Sequence, residues 1–153
     1  MGQAGTYILV LSVNRETEIS IGQLGTFAFP NGHYLYIGSA RGPGGLKARL
    51  ARHLRESKQP RWHIDYLLQE ARVVEIWKAS SPEKLECLWA QALLTMPDAT
   101  ILVSGFGSSD CGCPTHLIYF TTPTSFPAFA SQLQALGAGR CLAREMPGEA
   151  TQG

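Results

Sequence analysis

Charge is scarce in this chain: Asp, Glu, Lys and Arg make up 16% of its 153 residues, and the formal net charge is +1. So flat a balance excludes a protein that works by broad electrostatic cover, and any surface for a polyanion must be local. Long hydrophobic runs are missing as well. The N-terminal apolar stretch is only Ile8-Leu9-Val10-Leu11, with no basic segment before it and no small-residue cleavage site after it. The sequence therefore predicts no signal peptide, no membrane span and a cytoplasmic location. Four cysteines in such a setting are expected to be reduced thiols or metal ligands, not a disulfide frame. No internal repeat is visible, and the turn around Gly105-Phe106-Gly107 lacks the Lys-Ser/Thr of a nucleotide cradle, so it is read as a loop.

What is present is enough apolar material, 44% of residues, to close one core, and the length points to one domain. Thr6 to Val13 reads as a strand, ending at Asn14-Arg15-Glu16. Glu18 to Ile21 and Thr26 to Phe29 form a hairpin, and Tyr34-Leu35-Tyr36-Ile37-Gly38 follows the Pro30-Asn31-Gly32 turn as a further strand. Leu46, Leu50 and Leu54 recur at helical spacing after a glycine-rich breaker. A short helix is expected over 62–69 and a strand over 73–77. A further helix is expected to start at Ser81-Pro82-Glu83, with Ser81 as N-cap and Pro82 in the first turn. Its apolar stripe is Leu85, Leu88, Trp89, Ala92, Leu93 and Met96. Leu117 to Phe120 reads as a strand, and 125–136 as a closing helix ended by Gly137. The fold class is α+β (α/β in the broad sense): a small, mostly antiparallel sheet flanked by helices. The divisions are a core domain over 5–122, a helix within 123–143 packed on it, and a disordered tail over 144–153.

Basic residues concentrate in one place. Arg41, Lys47, Arg49, Arg52, Arg55, Lys58 and Arg61 are interrupted by a single acidic residue, Glu56. A phosphate backbone could lie there, although a solvated helix face accounts for the run equally well. Arg49 and His53, four apart, fall on the same broad arc as Leu46, Leu50 and Leu54 and should point toward the sheet margin. Tyr34, Tyr36 and Gly38 share one strand face, and Gly38 leaves that face bare for a close approach. Glu86 sits at the edge of its helix's apolar stripe, where a carboxylate wants a divalent metal or Arg49 as partner. Cys111, Cys113 and His116, with Cys87, supply donor types for a structural zinc, or else are loop thiols.

Gly5-Thr6-Tyr7 and Tyr36-Ile37-Gly38 resemble the two signature tripeptides of the GIY-YIG nucleases, with Thr6 in place of isoleucine. Leu46, Arg49 and His53 are similar to that family's next block, and Glu86 stands where the family places its metal-binding glutamate. The blocks Tyr36 to Ala40, Trp62 to Leu67 and Gly105 to Cys113 resemble the Uri-type branch of the superfamily. The likeness runs from about Gly5 to Phe120. The asparagine that many relatives carry after the glutamate helix has no counterpart here.

The resemblance implies a metal-dependent DNA endonuclease with Tyr7, Tyr36, Arg49, His53 and Glu86 as its catalytic set. Glu86 would hold Mg²⁺ or Mn²⁺, Arg49 would contact the scissile phosphate, Tyr7 would position or deprotonate the attacking water, and Tyr36 would orient it. An unperturbed phenol is a poor base at neutral pH, so Tyr7 would need a cation such as His53 or Arg49 nearby. Arg41, Lys47, Arg52, Arg55, Lys58 and His63 are the candidate DNA contacts. DNA is the expected partner, with no membrane and no organic cofactor. Two other readings stay open: a nucleic-acid-binding module of the same fold with little catalysis, and a zinc-stabilised interaction domain. From periodicity alone, Tyr7 and Tyr36 also fit as sheet aromatics and His53 as a core-edge histidine.

Overall fold

The structure is a computed structural model and describes residues 3–42, 44–55, 59–81, 83–107, 113–137 and 142–147. Its centre is strand β1 (Gly5–Val13). β1 is buried on both faces, which is why Ile8 to Leu11 form a continuous aliphatic run without alternation. Two strands pair with it antiparallel: on one side β4 (Gly32–Ala40), on the other β5 (Arg72–Ser80), the latter with a register shift between Val10 and Leu11. β6 (Leu117–Phe120) extends the sheet beyond β4, and β7 (Ala143–Glu145) extends it beyond β5. The order is β6-β4-β1-β5-β7, and every pairing is antiparallel. A separate hairpin joins β2 (Thr17–Ile21) to β3 (Gly25–Phe29). The expected α+β class is therefore observed.

Alternation along β1 and β4 feeds two cores. Tyr7, Leu9, Leu11, Tyr34 and Tyr36 face helices α1 (Gly45–His53) and α2 (His63–Leu68) and the β2–β3 hairpin. Ile8, Val10, Leu35 and Ile37 face α3 (Glu86–Leu94) and α4 (Phe126–Ala135). In this second core Phe129 of α4 stacks on Trp77 at 5.2 Å and meets Trp89 edge-on at 5.5 Å. Truncating so enclosed an aromatic costs about 3–5 kcal/mol, enough to detach a short helix. Among the described residues, no helix is long and apolar enough to cross a membrane.

Several boundaries differ from the sequence expectations. α3 starts at Glu86, not at Ser81: the Ser81 hydroxyl accepts from the Glu83 N–H at 3.1 Å in a local turn, and Pro82 lies outside the described residues. Ser125, by contrast, does cap its helix, accepting from the Ala128 N–H at 3.3 Å. The chain from 144 onward was expected to be disordered. Instead Arg144 and Glu145 belong to β7, where Arg144 pairs with Glu75 at 3.0 Å and Glu145 with Lys78 at 2.9 Å. A three-residue edge strand carries no hydrophobic pattern, so its partners alone reveal it.

Candidate active site

Glycine fixes where the basic helix begins. Gly44 and Gly45 both hold positive φ, 84° and 59°, so the chain reverses there, and the Leu46 N–H reaches the Gln3 carbonyl at 2.8 Å. α1 is thereby tied to the start of β1. Leu46, Leu50 and His53 are buried under it, and Arg49 is half-buried on the same arc.

Tyr7 and His53 meet at the centre, with the phenol oxygen 2.6 Å from His53 Nε2. Tyr36 closes the group, its ring centroid 6.5 Å from Tyr7 and 6.3 Å from His53. Arg49 donates from Nη1 to the Ser39 carbonyl at 2.8 Å and lays its guanidinium 4.5 Å from the Trp62 ring centroid. Its fork is thus oriented by a carbonyl and an aromatic face rather than by a carboxylate. Burial pushes the Tyr7 phenol well above its ordinary value, and Tyr36 adds to this while Arg49 opposes it. Tyr36 is likewise raised, first by burial, with Arg49 opposing and Asp65 and Glu86 adding to it. Neither phenol ionises on its own at neutral pH.

Glu86, half-buried, is the first residue of α3. Its charge opposes ionisation of the Tyr36 phenol and favours the protonated form of His116, whose pKa burial nonetheless lowers. Among the described residues no ion pair joins Glu86 to a lysine or arginine; the alternative that Arg49 is its partner is not what the geometry displays.

The flanking basic residues divide into two groups. Lys47, Arg55 and Arg61 are exposed, whereas Arg41 is half-buried and Lys58 lies outside the described residues. Arg52 is committed: it grips buried Asp65 through both guanidinium nitrogens, at 3.0 and 2.9 Å, and packs 4.1 Å from the Trp62 ring centroid. Asp65 also accepts from the N–H groups of Arg61 and Trp62 at 2.8 and 2.9 Å. Burial alone would raise its carboxyl, but Arg52 and the two N–H groups outweigh that and hold it below the ordinary range. His63 Nδ1 accepts from the Gly107 N–H at 2.8 Å and packs its ring against Phe106, 5.5 Å between centroids. It clasps the glycine loop onto α2, and burial lowers its pKa.

In sequence, Trp62 and Asp65 stand out only as members of the Trp62-to-Leu67 block, with Asp65 read as structural or as a DNA contact; what they hold was not legible. Trp62 is the platform for Arg49, Arg52 and Arg61. The cysteines depart from expectation more sharply. Cys87 and Cys113 form a disulfide, with Cα atoms 5.8 Å apart and 26 residues between them in sequence, where reduced thiols had been expected. His116 stands beside them, and Cys111 lies outside the described residues.

The family model described as Domain of unknown function DUF123 matches residues 6–138, and the chain belongs to that family. No curated protein and no solved structure matches the chain.

Proposed function

We propose that the chain is a metal-dependent endonuclease acting on DNA phosphodiesters through a GIY-YIG-type, Uri-like site built from Tyr7, Tyr36, Arg49, His53 and Glu86. The observation that carries this reading is the 2.6 Å contact between the Tyr7 hydroxyl and His53 Nε2, with the Arg49 fork beside it. A raised phenol hydrogen-bonded to an imidazole is a proton relay: the phenol takes a proton from water as it passes its own to His53. Tyr7 then never has to exist as a free phenolate. The attacking water forms a bond to phosphorus, its proton moves to the Tyr7 oxygen, the Tyr7 proton moves to His53 Nε2, and the P–O bond to the leaving strand breaks, its oxygen taking a proton from solvent water.

Arg49, held by Ser39 and Trp62, would bind the non-bridging phosphate oxygens through its remaining N–H groups. Tyr36 orients the water or the phosphate. Glu86 fits a Mg²⁺ or Mn²⁺, because it is a half-exposed carboxylate with no cationic side chain paired to it among the described residues. Such an ion, when bound, neutralises charge developing on the leaving oxygen. The exposed cations Lys47, Arg55 and Arg61 supply a sequence-independent grip on the backbone.

The test is nicking of supercoiled plasmid with Mg²⁺ and with EDTA, comparing wild type with Glu86→Ala and Arg49→Ala. Metal-dependent nicking lost in both variants supports the proposal; nicking that survives both places the chemistry elsewhere. Salt-sensitive DNA binding without nicking on any substrate would leave a binding module of the same fold.

A further inference from the structure

A second cluster lies outside the tyrosine site. Cys87 on the first turn of α3, Cys113 before β6 and His116 at the foot of β6 bring one Sγ, one Sγ and one ring nitrogen within 4.8 Å of one another. Three soft or borderline donors at that spacing are a coordination set as well as a disulfide with a histidine beside it. Hard cations such as Mg²⁺ avoid thiolates, whereas zinc and cobalt(II) favour two sulfurs and an imidazole.

The frame holding the donors does not depend on the S–S bond. The His116 N–H donates to the Phe106 carbonyl at 2.8 Å, and its own carbonyl accepts from the Ile37 N–H at 2.8 Å. The Thr115 hydroxyl binds the Val103 carbonyl at 3.1 Å just upstream. α3 is anchored by Trp89 and Leu93 in the second core. Breaking the disulfide therefore leaves both thiols and the imidazole gathered. The cluster is also reachable: Cys87 is exposed, and an open cavity of about 410 Å³ borders Cys87, Cys113, Leu94 and Pro114.

We propose that Cys87, Cys113 and His116 form a redox-gated site for a thiophilic divalent cation, zinc foremost, distinct from the Glu86 site. In the oxidised state the two sulfurs bond to each other and the site is closed. A small dithiol supplies two electrons and two protons, becomes a cyclic disulfide, and leaves two thiols on the chain. Zinc then displaces the two thiol protons and binds both thiolates and the neutral imidazole. Three protein donors leave the fourth tetrahedral position to water or an incoming ligand on the cavity side.

The test uses the full chain with cobalt(II) as the probe. After reduction with a phosphine and transfer to an oxygen-free buffer, equimolar cobalt(II) should give the thiolate-to-metal charge-transfer band at one ion per chain, and zinc should displace it. The oxidised chain should give no band. Cys87→Ser and Cys113→Ser should abolish the band, His116→Ala should weaken binding by about tenfold or more, and Cys141→Ser should leave it intact. Glu86→Ala should also leave it intact, which separates this site from the nuclease reading. The proposal is overturned if the reduced wild type gives no band, if the band persists in the cysteine variants, or if it is lost in Glu86→Ala. The wild-type arm needs no substitution, so a misfolded variant cannot rescue the idea.

Discussion

Tyr7 and Gly38 are direct partners across the β1–β4 ladder, and the Tyr7 ring fills the space where any side chain at position 38 would stand. The glycine of the second tripeptide therefore exists for the tyrosine of the first. Gly38→Ala should drive the Tyr7 ring away from His53, destabilise the fold by about 1–3 kcal/mol as overpacking does, and abolish nicking. Tyr7→Phe fits the same space and should keep the stability while losing about 10²–10⁴-fold in rate. Parallel urea melts and nicking rates check the pair. A fully active Gly38→Ala would mean that Tyr7 is not positioned by that contact.

His53→Gln retains a hydrogen-bonding group near Tyr7 but removes the imidazole proposed to accept its proton. Its kcat should fall by about 10²–10⁴-fold with KM little changed, as for an interaction made only in the transition state. Single-turnover cleavage on a labelled duplex measures it. An equal rise in KM would assign His53 to binding.

Asp65 anchors the platform on which Arg49 lies. Asp65→Ala leaves Arg52 and two backbone N–H groups without their buried carboxylate and should cost about 3–5 kcal/mol. Its folded carboxyl is held below the ordinary value near 3.9, so its contribution is complete above that pH and lost as the pH falls through the lower folded value. Denaturation midpoints measured from pH 7 to pH 3 should fall more steeply for wild type than for Asp65→Asn.

His63 works in the opposite chemical sense, since burial keeps it neutral and able to accept from Gly107. A histidine whose folded pKa lies below the unfolded one, near 6.5, stabilises fully above that value and progressively less as acid protonates it. The Gly107 amide should therefore lose protection from hydrogen exchange on acidification below about pH 6.5. Protection that stays constant to pH 5 would show that the clasp does not titrate.

Exposed Lys47 and Arg55 predict a graded electrostatic effect rather than an all-or-none one. Each replacement by alanine should weaken DNA binding across all sequences and reduce the slope of log K against log salt by about 1. Fluorescence anisotropy at several salt concentrations checks this. Arg52→Ala should instead register mainly as lost stability, because its guanidinium is already engaged by Asp65.

The parts of the fold that announce themselves in sequence are those governed by local period. β1 and β4 were legible from their strand patterns, and α1 from the four-residue recurrence of Leu46 and Leu50, which also placed Arg49 and His53 on the inner arc. The start of α3 was misjudged because Ser81 spends its hydroxyl on a turn to Glu83, and sequence cannot distinguish that turn from a cap. β7 is too short to carry a period. The meeting of Cys87 with Cys113 and the bidentate grip of Arg52 on Asp65 depend on tertiary approach, so the residue types were visible and their pairing was not.

Strand β1 lies in the middle of the sheet with a ladder on each side, so releasing Tyr7 means tearing both seams at once. The Tyr7 hydroxyl should accordingly keep its place as long as the native state itself persists. Glu86, arriving on the opening turn of α3, lies outside both ladders. On the proposed reading, the pocket sets a tyrosine that cannot leave without unfolding against a carboxylate on a separate element, an arrangement that would suit a centre receiving and discharging a bulky polymer.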